Sequence, residues 1–234
     1  MYGLFKSGSA VASEQRHVVL GTPILEPPAA GQGEVLFGCG CFWGAEKGFW
    51  RLPGVVTTAV GYAGGQLDNP TYAAVCGGHT GHAEVVRVVW DRSLVHFSDL
   101  LRLFWECHDP TQGNRQGNDR GSQYRSAIYV DDPTDLNLAL ASRDQYAKLL
   151  AAAGWGAITT QIASGERFHA AEPYHQQYLA KPGSRPYCSA QPTGVSLAEF
   201  PGASYQLPAS VWQQYDWSIP HCILRGDNTP IPLA

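Results

Sequence analysis

At 234 residues, with 44% hydrophobic and 11% aromatic residues, the chain can bury the core of one generous domain and is too apolar for a disordered one. A net charge of −4 with no basic block excludes an evident nucleic-acid or anionic-membrane partner, and no apolar run is long enough to span a bilayer. The first twenty residues lack the apolar stretch of a signal peptide, and six cysteines, at 39, 41, 76, 107, 188 and 222, are too unevenly spaced for a secreted disulfide scaffold. A cytoplasmic location with reduced thiols is therefore expected.

Residues 1–33, mixed and rich in Gly, Pro and Ala, read as an N-terminal extension, and the packed domain is expected from Glu34. A strand near 34–38 leads to a helix near 43–51, which Pro53-Gly54 closes, and 55–62 forms a second strand ended by Gly64-Gly65. Asn69-Pro70 opens a short helical turn with Tyr72 and Cys76. The β-branched run 82–90 predicts a strand, and Ser98 is placed to cap a helix over 99–108. DPTQGNRQGNDRGSQ is a poor core but a plausible active-site loop, because long loops in compact domains tend to be functional or disordered.

A strand over 124–130 follows, and Asp132-Pro133 starts the longest helix, to about 153, with a cap residue and Pro at the first helical position. A strand over 158–163 and a short helix over 172–181 complete the pattern, with a proline-rich, loop-like stretch from 182 onward that wraps the domain. We divide the chain into the extension, a catalytic domain over 34–190 and a C-terminal tail over 191–234. The alternation predicts an α+β fold, a two-layer α/β sandwich with a mixed, largely antiparallel sheet and long loop-like termini, its strand order left open.

GCFWGAE, residues 40–46, places Cys41 between a strand and a helix start. Unpaired N–H groups and the positive end of the helix dipole stabilise a thiolate there, so a pKa below the free value of about 8.5 is expected. Phe42 and Trp43 supply an aromatic wall. A buried structural thiol is the bland alternative. Glu84, among valines in HAEVVRVVW, would be partly desolvated and keep its proton towards neutral pH, as a general acid requires, unless it faces solvent at an edge. Tyr72 and Tyr124 follow turn-rich segments and can aim hydroxyls into a site. Asp119 lies in the polar loop, where a turn role is the competing reading.

Three other chemistries compete. Cys39, Cys41, Cys76, His79 and His82 contain zinc-ligand types, but no C-x-x-C pair supports them. A cysteine hydrolase would need a histidine partner, yet no hydrolase signature surrounds Cys41. Gly38-x-Gly40 after a strand suggests a dinucleotide turn until Trp43 occupies the third glycine position.

The chain resembles the A-type peptide methionine sulfoxide reductases. The likeness rests on GCFWGAE, LPGV with GYAGG, NPTYAAVC, TGHAEVV, FWECHDPTQGNRQGNDRGSQYRSAIY and AEPYHQQYLAK, in that order, across roughly 34–190. It implies that Cys41 attacks the sulfur of the S epimer of methionine sulfoxide, free or in proteins, while Glu84 protonates the oxygen. Tyr72, Tyr124 and Asp119 would hold that oxygen, and Phe42 and Trp43 would receive the ε-methyl group. Cys188, in RPYCSAQPTGV, matches the family's resolving position, and thioredoxin would reduce the disulfide. No metal or organic cofactor is implied, and the enzyme would act as a monomer. Cys39 is a departure from the family's pattern, as is a tail reaching Cys222, a possible recycling thiol. Cys76 and Cys107 fall on helical patterns and read as core thiols.

Overall fold

A computed structural model describes residues 15–218 and 226–233. Its central sheet is built from β1 (Gln32–Cys39), β2 (Val55–Ala63), β3 (Ala83–Asp91), β6 (Ser126–Tyr129), β7 (Gln161–Ala163) and β8 (His169–Ala170), in the order β7-β6-β1-β3-β2-β8. Every neighbouring pair is antiparallel except β6 and β7, which run parallel, so the sheet is mixed and largely antiparallel. β4 (Arg115–Gln116) and β5 (Asp119–Arg120) form a separate two-residue hairpin inside the polar loop.

The period of two along the strands assigns the faces. Phe37, Val60, Tyr62, Val86, Val88 and Trp90 join the main core with α1 (Phe42–Trp50) and α3 (Phe97–Glu106), whereas Leu36, Ala63, Ala83, Val85, Ala127 and Tyr129 form a smaller cluster on the reverse side. Glu84 alternates in phase with Val86 and Val88. It therefore lies on the face that α1 covers. α2 (Tyr72–Cys76) follows β2, and α4 (Pro133–Ala152) is the longest helix, capped by Asp132, whose side chain accepts from the N–H groups of Thr134 and Asp135.

Three local expectations are corrected. α3 starts at Phe97 because His96, not Ser98, is its cap; the Ser98 hydroxyl instead accepts from Ser204 N–H of the tail. Tyr124 sits on a 3₁₀ turn, Ser122–Tyr124, just before β6 rather than in it. The helix expected over 172–181 is absent, apart from a 3₁₀ turn at Tyr178–Ala180. Its glutamines are drawn elsewhere: Gln176 bonds both the N–H and C=O of Val60 on β2, and Gln177 adopts a left-handed φ of 45° while bonding Glu46.

The described parts of the N-terminal extension and of the tail pack on the domain. His17 and Ile24 are buried, and the tail adds Leu197, Phe200, Leu207, Val211, Trp212, Tyr215 and Ile231 to the main core, with one short helix, α5 (Ala209–Trp212). Cys222 lies outside the described residues.

Candidate active site

Cys41 is the residue before α1, and Gly40 makes the turn that puts it there. Gly40 has a φ of 85°, and a Cβ at that position would come within 2.6 Å of the Gln116 side chain. Two neighbours are thereby sent in different directions: Cys39 packs in the helix-side core, and Cys41 lines a cavity of about 210 Å³. Phe42, Trp43, Tyr72, Glu84, Asp119, Tyr124 and Tyr187 complete its lining. Seven of these eight stand out in the sequence; Tyr187 does not.

The Phe42 N–H, the first of α1, donates to Glu84 Oε2 over 3.0 Å. Burial pushes the Glu84 carboxyl up to about 8 against the pull of that bond, and the charge of Asp119 adds to the rise. Glu84 thus keeps its proton at neutral pH, and the bond from Phe42 to Oε2 leaves Oε1 to carry it.

The Cys41 thiol departs from expectation. Burial and then the charge of Glu84 raise its pKa well above the ordinary thiol range, and the bond from Trp43 N–H only partly offsets them. Desolvation outweighs the helix end in the resting protein. Protonation of Glu84 removes the second of these causes.

Aromatic groups fix the wall. Trp43 stacks on Tyr178 with centroids 3.9 Å apart, and its indole N–H donates to His175 Nδ1 at 3.1 Å. That bond assigns the His175 proton to Nε2. Tyr72 packs on the same imidazole, 4.6 Å between centroids, while its N–H donates to Glu172, which also accepts from the Tyr62 hydroxyl. His175 and Tyr178 belong to the AEPYHQQYLAK stretch, and no periodicity marks them as neighbours of Trp43.

The polar loop is ordered by buried Gln116, whose side chain bonds Asp109 N–H and C=O and accepts from Gln191 N–H. Across the hairpin, Tyr187 donates to Asp119 Oδ1 at 2.5 Å. These bonds bring the tail segment over α1. Cys188 is buried there against Gly44, where an added Cβ would come within 2.6 Å of its Sγ. Burial pushes the Cys188 thiol up to about 11.

The zinc grouping is not assembled. Cys76 is exposed, which also corrects its reading as a core thiol, His79 is exposed, and His82 bonds Leu67 C=O. Among the described residues the only cluster of metal-ligating type is Cys39, Cys107 and His108.

Fold and cavity define a thiol oxidoreductase in which a cysteine at a helix start faces a protonated carboxyl. The sequence profile of peptide methionine sulfoxide reductase matches residues 33–200. The chain is 57% identical over 182 residues to the peptide methionine sulfoxide reductase MsrA of Rhodospirillum centenum, covering 77% of this chain and 82% of the relative. To that of Salinispora arenicola it is 55% identical over 190 residues, covering 80% and 86%. Methionine sulfoxide reductase A of Corynebacterium diphtheriae superposes with a TM-score of 0.70 at 47% identity, over 79% of this chain and 90% of that one. Reduced Mxr1 from Saccharomyces cerevisiae gives 0.64 at 31% identity, over 74% and 96%. The chain belongs to the peptide methionine sulfoxide reductase family, and it is an enzyme that reduces methionine sulfoxide through thiol chemistry. Among the described residues no helix is long and apolar enough to cross a membrane.

Proposed function

We propose that Cys41 is the nucleophile, Glu84 the general acid and Cys188 the resolving thiol of a reductase for the S epimer of methionine sulfoxide, free or in proteins. The observation that carries this reading is the single cavity in which Cys41 and a proton-bearing Glu84 meet at the first N–H of α1. With Glu84 neutral, its charge no longer opposes a Cys41 thiolate, which Trp43 N–H and the helix end favour. Cys41 gives its proton to solvent, and the thiolate attacks the sulfoxide sulfur as the oxygen takes the Glu84 proton, because that oxygen is a poor leaving group until protonated. Solvent then restores the Glu84 proton.

Oxygen passes to sulfur, methionine departs, and the sulfenic acid on Cys41 condenses with Cys188, releasing water and forming a disulfide. Tyr72 and Tyr124 hold the developing charge, and Phe42 and Trp43 enclose the methyl group, so the chiral sulfur fits in one orientation. Asp119 acts through Glu84, whose proton its charge helps to retain. A thioredoxin dithiol then reduces the disulfide by exchange. Nucleophile and resolving thiol come from one chain, as a monomer requires, and all these residues fall within 34–190, the span we assign to catalysis.

Cys41→Ser is expected to abolish reduction of methionine S-sulfoxide with thioredoxin as electron donor, since a hydroxyl is a far weaker nucleophile than a thiolate at neutral pH. Substantial activity remaining would remove Cys41 from the mechanism. Equal rates with both epimers in the unaltered protein would remove the methyl pocket.

A further inference from the structure

The sulfur atoms of Cys39 and Cys107 and a ring nitrogen of His108 all lie within 4.8 Å of one another. Cys39 ends β1, Cys107 closes the C-terminus of α3, and each is only 2% exposed. Neither has a part in the chemistry above. A closing of less than about 3 Å would bring their sulfur atoms to the disulfide length of about 2.05 Å. His108 is committed elsewhere, with Nδ1 2.7 Å from Phe104 C=O and Nε2 2.7 Å from the Ser126 hydroxyl. That commitment favours a dithiol over a metal site.

We propose that Cys39 and Cys107 are a second redox pair, which takes the oxidising equivalents of the Cys41–Cys188 disulfide and lets one chain store two rounds of oxidation. The proposal rests on the Cys41–Cys188 reading. Cys188, seated on Gly44, is near enough to Cys107 for a charge on Cys107 to oppose its ionisation. The Cys107 sulfur attacks Cys188 and releases Cys41. Cys39 then attacks Cys107 and releases Cys188. Two thiols become one disulfide, one disulfide becomes two thiols, and two protons move from Cys39 and Cys107 to Cys41 and Cys188.

The neighbouring Cys39 thiol and burial both hold the Cys107 thiol protonated, which slows the exchange. Reduction by an external dithiol outruns it. The buried pair therefore fills when reductant is scarce.

The test counts methionine released from free methionine sulfoxide by fully reduced, reductant-free protein carrying Cys222→Ser, which keeps the tail thiol out of the count. Two methionines per chain are expected, the second slower, with peptide mapping showing Cys39 joined to Cys107. Adding Cys107→Ala should cut the yield to one while leaving the fast first release intact, which also reports that the variant is folded; Cys39→Ser should instead stop the relay at a Cys107–Cys188 disulfide, with the second oxidation left as a sulfenic acid on Cys41. One methionine from the parent, with Cys39 and Cys107 free, would overturn the second pair and leave the Cys41–Cys188 reading standing. Failure to release methionine or to form Cys41–Cys188 would sink that reading and the proposal with it. Two methionines from Cys107→Ala, or stoichiometric zinc in the parent that either variant loses, would also overturn the proposal, the latter in favour of a metal site.

Discussion

At the scale of single residues, the chemistry turns on where two protons sit. Cys41 and Glu84 are both buried, and burial disfavours the charged form of each, so the resting site holds a thiol and a carboxylic acid. Sequence alone exposed both residues, Cys41 by its place before a helix and Glu84 by its valine neighbours. It erred on the thiol because a helix end is visible in a motif, whereas the depth of burial is set by Tyr187, Cys188 and the polar loop closing over it. The reactive form pairs a Cys41 thiolate with the acid form of Glu84, and the thiol titrates above Glu84, so the rate of that step should rise with pH up to about 8 and level off there as Glu84 loses its proton. Glu84→Gln should slow single-turnover methionine release by roughly 10²- to 10⁴-fold and lose this break, the rate continuing to rise with pH as Cys41 ionises, since an amide has no proton to shed. An unchanged break near pH 8 in the variant would assign the titration to another group.

At the scale of elements, strands were legible and contacts between loops were not. Alternation located β1, β2 and β3 and put Glu84 in phase with the core valines, and Asp132-Pro133 announced α4. The stretch over 172–181 has helix-forming residues but is claimed by β2 and Glu46, a tertiary demand that no local pattern records. Gly44 on α1 shows the same limit. Its missing side chain is the space that Cys188 Sγ occupies. Gly44→Ala should favour the helix by up to about 1 kcal/mol while pushing Cys188 away. The first methionine should then form at a normal rate, and closure of the Cys41–Cys188 bridge should slow about tenfold or more, measured by quenching with an alkylating agent and mapping the thiols. Bridge formation at the unaltered rate would mean that Cys188 reaches Cys41 from a different direction.

At the scale of the whole molecule, one buried chain of hydrogen bonds ties the N-terminal segment to the site. His17 Nδ1 accepts from the N–H groups of Val19 and Leu20, so its Nε2 proton points to Thr58 Oγ1 at 2.9 Å, and Thr58 in turn donates to Glu46 Oε1 at 3.0 Å. Glu46 also accepts from the N–H and side-chain amide of Gln177, holding the turn that carries His175 and Tyr178 against Trp43. Burial raises the Glu46 pKa to about 7 although all three bonds favour the charged form. A carboxyl whose pKa is higher in the folded protein than in the unfolded chain binds more protons when folded. Its contribution to stability is complete below the unfolded value of about 4.5 and is lost as pH rises through the folded value. Glu46 should therefore make the protein less stable at pH 8 than at pH 5, by on the order of 3 kcal/mol for a shift of this size. Glu46→Gln should lower stability at pH 5, because an amide turns one N–H₂ towards donors, yet flatten the fall between pH 5 and 8. Urea unfolding at the two pH values checks this: parallel losses in the variant and the parent would show that Glu46 does not titrate in that window.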